Sequence, residues 1–146
     1  MIHLDTHVLA WLYEGSVDRL PASVQALIEE NDLGISPMVE LELQYLHEIG
    51  RLQATGHDVL QDLDGRIGIR KSSAPFARII EEARQLTWTR DPFDRIIVAT
   101  ALADDVVLVT RDATILANHD RARWDAAPKA GKAPGRRRQA KRRRRP

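Results

Sequence analysis

Carboxylates dominate the chemistry this sequence can do, and four stand at positions that composition alone does not explain. Asp5 closes the apolar run in IHLDTH, and Asp112 lies just beyond VVLVT in VVLVTRD. Each sits where a strand hands over to a helix. In an open parallel α/β sheet such positions emerge at the carboxyl edge, where ligands bind. The plain alternative is a pair of helix N-caps, a common use of Asp after a strand.

The third acid lies in ISPMVELELQYLHEIGRL, which holds Glu40, Glu42 and Glu48. Helix neighbours lie three and four residues away. For Glu42 these are Met38, Val39, Tyr45 and Leu46, which places it in the apolar stripe. Glu40 has Ser36, Pro37, Leu43 and Gln44 around it, an ordinary border position, and Glu40 and Glu48 read as solvated. A charge in an apolar stripe is costly unless it is paired or binds a metal. An ion pair with an arginine is the structural alternative for Glu42.

The fourth acid comes from TRDPFDRIIVATAL. Asp91 is placed as N-cap, with Pro92 at the first helical position. Asp94 stands at the third, where an acid can complete a capping box. Its next-turn neighbours are Ile97 and Val98, so it also borders the buried face. Asp94 is favoured as ligand, with Asp91 as cap or support.

Gathered carboxylates repel, and their pKa values rise unless a cation neutralises them. Mg²⁺ and Mn²⁺ take such oxygen ligands and can activate a water for attack on phosphorus. No nucleophilic side chain is then needed, and the sequence offers few. It contains no HExxH, GxSxG, P-loop or glycine-rich dinucleotide motif. Arg90, Arg95 and Arg111 lie beside the acids, as phosphate contacts or as counter-charges for Asp91, Asp94 and Asp112. Thr6 and Thr110 share the strand ends and can hydrogen-bond a carboxylate or a water, or simply cap.

The elements that would position these groups alternate strand with helix, predicting an α/β fold with a parallel sheet. Strands are expected at 2–5, 34–36, 67–71 and 106–110, with an edge strand at 122–124. Thr6 is expected to cap a first helix through Leu12 and Tyr13, and a second spans 23–30. Ser36 caps a third that runs to about Ile49 and stops at Gly50. Further helices are expected at 57–63, at 74–86, from Asp91-Pro92 through Leu102, and after Asp112.

Length and composition fit one soluble domain and a tail. The 146 residues are 43% hydrophobic and contain no cysteine, which excludes disulfides and thiolate metal sites. No apolar run is long enough to span a bilayer, and MIHLDTHVLAWL lacks the form of a signal peptide. A cytoplasmic protein is expected. The net charge of +1 conceals a split: ten Lys or Arg and no acid lie from Lys129 to Pro146, which leaves residues 1–128 at −9. The domain is expected over 1–126. Residues 127–146 read as a disordered basic tail, able to add salt-dependent affinity for nucleic acid or to do nothing.

LDTHVLAWL, ISPMVELELQYLHEIGRL, WTRDPFDRIIVATAL and LVTRDATI, in this order, resemble the PIN domain family and within it the VapC-type toxins of toxin–antitoxin pairs. The resemblance covers most of residues 1–124 and stops before the basic tail. It implies a Rossmann-like three-layer α/β/α sandwich. It also implies an acidic Mg²⁺ or Mn²⁺ site, whose acids fall by motif on Asp5, Glu42, Asp94 and Asp112. Endoribonuclease activity, homodimerisation and inhibition by a VapB-like antitoxin are implied as well. Thr6, Asp91, Arg95, Thr110 and Arg111 would support the site or contact substrate phosphate. Other readings are a PIN nuclease of RNA processing, a non-catalytic binding module that kept the fold, and a phosphatase-like enzyme with Asp5 as nucleophile. The last lacks the second Asp two positions on, where His7 stands.

Overall fold

Three-residue apolar strands separated by amphipathic helices cannot pair as hairpins, so each chain reversal must cross over the sheet. A computed structural model, which describes residues 1–124, has this arrangement. The elements are β1 (Ile2–Leu4), α1 (Thr6–Glu14), a 3₁₀ turn (Val17–Arg19), α2 (Ala22–Glu30), β2 (Leu33–Ile35), α3 (Pro37–Glu48) and α4 (Gly56–Ile67). There follow β3 (Ile69–Lys71), α5 (Phe76–Gln85), α6 (Pro92–Ala103), β4 (Val107–Val109), α7 (Ala113–Asn118) and β5 (Ala122–Arg123). The expected domain boundary at 126–127 and the basic tail lie outside the described residues.

The strands form one sheet in the order β3-β2-β1-β4-β5, all parallel. Every residue of β1 and β2 is buried, as strands covered on both faces must be. The result is the three-layer α/β/α sandwich expected. Leu4, Val8, Leu9, Ile35, Val39, Leu43, Ile97, Leu108 and Ile115 are among its deepest apolar residues. β1 lies between β2 and β4, so successive connections leave it in opposite directions. The crevice at the carboxyl ends of β1 and β4 is therefore the topological switch point of the sheet. Leu4 pairs with Val109, and the Asp5 N–H donates to the Val109 carbonyl at 2.9 Å. This register sets Asp5 beside Thr110.

Several boundaries differ from expectation for identifiable reasons. Asp5, not Thr6, caps α1, its carboxylate accepting from the Thr6 N–H at 2.8 Å; Thr6 is the first helical residue. The helix expected at 74–86 begins only at Phe76, because Pro75 disfavours helical backbone at Ala74. α4 extends through Ile67 and ends on Gly68 at φ 68°, a left-handed conformation suited to glycine. That shortens the following strand to Ile69–Lys71. Ser36 caps α3 as expected, accepting from the Met38 N–H at 3.2 Å.

Candidate active site

Four different elements deliver carboxylates to the crevice. Asp5 stands at the β1–α1 junction, Glu42 in α3, Asp94 in the first turn of α6 and Asp112 at the start of α7. Their mutual electrostatic influence measures how closely they are gathered. Burial pushes the Asp5 pKa up, and Asp112 adds to the rise against the hydrogen bonds from Thr110 and Thr6 and the influence of His7. Glu42 is raised to about 8, by burial first, then by Asp5, Asp94 and Asp91. Asp94 is raised to about 7, again by burial first, then by Asp91, Asp5 and Asp112. These acids perturb one another across residue separations that run nearly the whole length of the domain.

Hydrogen bonds hold the cluster from behind. Thr110 Oγ1 donates to Asp5 Oδ2 at 2.6 Å and accepts from the Asp112 N–H at 3.0 Å. One hydroxyl thus ties the ends of β1 and β4 together. Asp112 Oδ1 accepts from the Ile115 N–H at 2.9 Å and Asp91 Oδ1 from the Asp94 N–H at 3.0 Å. The capping alternative for Asp5 and Asp112 is therefore also true. It does not compete with a role at the site: Asp112 caps through one oxygen only, and the two Asp5 oxygens, though both accept a hydrogen bond, each keep a second lone pair. The capping box anticipated for Asp94 is not formed: the Asp91 N–H donates to Thr89 Oγ1 at 3.2 Å. Asp94 is left to face the other acids.

Cationic partners are missing where the alternatives required them. Among the described residues the ion pairs are His3–Asp104, Arg66–Asp62, Lys71–Glu40 and Arg121–Asp105. None includes Asp5, Glu42, Asp91, Asp94 or Asp112, so the arginine pair considered for Glu42 does not exist there. Arg95 instead donates from Nε to the Ala83 carbonyl at 3.2 Å, and Arg90 leans on the Thr87 carbonyl at 3.5 Å. Glu40 is not simply solvated, since it pairs with Lys71 of β3. Glu42 is half-buried rather than central to the stripe: Val39 and Leu43 are the buried residues of α3, whereas Tyr45 is 46% exposed.

The donor set fits a hard cation. Glu42 Oε2 and Thr6 Oγ1 are buried without a hydrogen-bond partner among the described residues. Thr6 is near enough to lower the Glu42 pKa slightly, but the contact falls short of hydrogen-bond geometry. A buried carboxylate oxygen left unsatisfied among like charges is costly, and a divalent ion would relieve both penalties. Among the described residues no group of three or more His, Asp or Glu side chains is arranged closely enough to hold a metal ion. The acids stand within electrostatic reach of one another, not in ligand contact.

The sequence matches the PIN domain family over residues 2–121. The chain belongs to that family. No protein of curated function matches this PIN domain significantly. Two of the solved structures that resemble it are toxin–antitoxin assemblies. One is the crystal structure of VapBC2 from Rickettsia felis bound to a DNA fragment from their promoter. It is 22% identical with a TM-score of 0.56, over 80% of this chain and 92% of that one. The other is a toxin–antitoxin complex from Klebsiella pneumoniae, 20% identical with a TM-score of 0.58, over 84% and 95%. At such identities the likeness establishes the fold.

One group at the rim of the PIN domain's crevice escaped the sequence reading. Arg19 and Arg111 both lie over the Trp11 ring, 5.7 and 5.6 Å from its centroid. His7 and Trp124 flank the same ring at 6.3 and 5.8 Å. The four-residue spacing of His7 and Trp11 was a visible signal. The arrival of Arg19 and Trp124 was not. Among the described residues no helix is long and apolar enough to cross a membrane.

Proposed function

We propose that this PIN domain is a Mg²⁺- or Mn²⁺-dependent endoribonuclease of the VapC type, the toxin of a toxin–antitoxin pair. The observation that carries the reading is the acidic cluster. Carboxylates from four elements crowd at the switch point, those of Asp5, Glu42 and Asp94 have raised pKa values, and none makes an ion pair among the described residues. A structural role alone gives no reason to assemble such repulsion.

Asp5, Glu42, Asp94 and Asp112 would hold the ion. When bound, the ion supplies charge neutralisation at the reacting phosphate and activates water toward phosphorus. The chain's own groups do the positioning. Thr110 fixes the Asp5 carboxylate through Oδ2 and, through the Asp112 N–H, ties in the loop that carries Asp112. Asp91 anchors the first turn of α6 and so places Asp94. Thr6 offers a hydroxyl beside Glu42, and the exposed Arg111, which makes no ion pair among the described residues, can meet a phosphate oxygen. Arg95, committed to the Ala83 carbonyl of α5, serves helix packing.

An antitoxin partner follows from the kind of structures this fold resembles, both of which are toxin–antitoxin assemblies. Homodimerisation belongs to the same reading. α3 and α5 leave Leu41, Tyr45, Phe76 and Ile80 exposed, apolar surface that pairing two copies would cover. The test is cleavage of total RNA by the wild-type chain and by Asp5→Asn, with Mg²⁺, with Mn²⁺ and with EDTA. Metal-dependent cutting that the substitution abolishes is expected, with the thermal midpoint little changed. Cutting that persists in EDTA, or is equal in both proteins, would refute the assignment.

A further inference from the structure

The N-terminal helix places His7 and Trp11 four residues apart and hence on one face. Trp11 is only 9% exposed, so it is a rigid element of the core's rim. Two exposed arginines converge on it. Arg19 comes from the 3₁₀ turn after α1, and Arg111 from the loop between β4 and α7, next in sequence to Asp112. Neither guanidinium is paired with a carboxylate among the described residues, although residues 1–128 carry a net charge of −9.

Two like charges do not gather without cause. The face of an indole attracts a guanidinium and holds its plane while leaving the N–H fork available. That fork matches the paired oxygens of a phosphate. The location is equally informative. His7 ties the ring cluster to the acids, since it acts electrostatically on Asp5. A polyanion approaching the acidic crevice is repelled by it and needs fixed cations alongside. A reacting phosphate that must enter a half-buried crevice also calls for a flexible strand rather than a stiff duplex.

We infer that Arg19 and Arg111, placed over the Trp11 ring with His7 beside it, form a phosphate-binding shelf that seats the backbone of single-stranded RNA alongside the acidic cluster. The inference rests on the nuclease reading above and extends it to residues that no metal would touch.

The full-length chain tests it, with binding of a labelled single-stranded RNA measured in EDTA across a salt series. Wild type is compared with Arg19→Ala, Arg111→Ala, the double alanine variant and the double lysine variant. Each arginine lost should make the log–log salt dependence shallower by about 0.7, and the double alanine variant should bind about tenfold or more weakly. The double lysine variant should recover the salt slope, because it restores the charges. Mg²⁺ affinity, measured by calorimetry, should be unchanged in all of them. Affinity and slope unaltered in the double alanine variant, while wild type still cleaves RNA, would overturn the shelf and leave the nuclease reading standing. An equal fall in Mg²⁺ affinity would also overturn it, by assigning the arginines to support of the acids. A wild-type chain that neither binds nor cuts RNA would remove both.

Discussion

His3 and Asp5 lie two residues apart at the same strand, are 1% and 4% exposed, and receive opposite electrostatic treatment. His3 Nε2 lies 3.1 Å from Asp104 Oδ2 at the end of α6. Its imidazole packs so closely over Gly34 that a Cβ there would come within 2.8 Å of Cδ2. Burial lowers its pKa, opposed by Asp104. The ring is thus packed, set beside an acid and kept neutral by burial, although neither ring nitrogen makes a hydrogen bond among the described residues. Asp5 is just as deeply buried, yet Glu42, Asp94 and Asp112 surround it with charge of its own sign. A buried ionisable group that serves the fold is given an opposite charge or made neutral. Asp5 is kept among like charges and makes no ion pair among the described residues, which is the setting in which the proposed metal would serve as its counter-ion.

Beyond the loss of cleavage expected for Asp5→Asn, the largest effect that would sharpen this contrast comes from Thr110→Val. It removes the 2.6 Å bond to Asp5 and the acceptor of the Asp112 N–H without touching an acid. Groups that orient a ligand typically contribute about 10–100-fold in metal affinity. A fall of that size in Mg²⁺ binding, measured by calorimetry on a folded variant, is expected; unchanged affinity would mean that the strand ends position Asp5 unaided.

Glu42→Gln gives the next largest effect. The folded chain holds the Glu42 proton to about pH 8, against the ordinary 4.5 of a glutamate. The native state therefore binds that proton more tightly than the unfolded chain. The resulting stabilisation is complete below pH 4.5 and is lost as pH rises to about 8. Without metal, Glu42→Gln should be the more stable protein above pH 8, by on the order of 1–2 kcal/mol after screening, and the advantage should vanish in acid. Urea unfolding at the two pH extremes measures it, and a pH-independent difference would break the electrostatic account. Because protons compete for the same oxygens, metal affinity should also rise from pH 6 to 8.

The smallest effects belong to the paired groups. Asp104→Asn, at a site about a quarter exposed, and Glu40→Gln, which breaks the pair with Lys71, should each cost no more than about 1 kcal/mol. Neither should alter Mg²⁺ affinity. Loss of metal binding on Glu40→Gln would mean that the wrong glutamate of α3 has been placed at the crevice.

Much of this was written in local sequence. Apolar runs of strand length between helical periods specified the parallel α/β class, and the Ser36-Pro37 and Asp91-Pro92 starts specified two helices, because capping is decided within one turn. Helical spacing separated Glu42 from Glu40, although it put Glu42 deeper in the stripe than it lies and left Glu40 without its Lys71 partner. Lys71 lies 31 positions on in the chain, and strand order alone brings the two together. Tertiary structure likewise decided that Thr110 reaches Asp5, that Arg95 turns to α5 instead of an acid, and that Arg19 and Arg111 meet on Trp11. Sequence carries the short-range terms, which depend on neighbours three or four residues away. Convergence of distant groups depends on sheet order and register, which follow from the packing of the whole core.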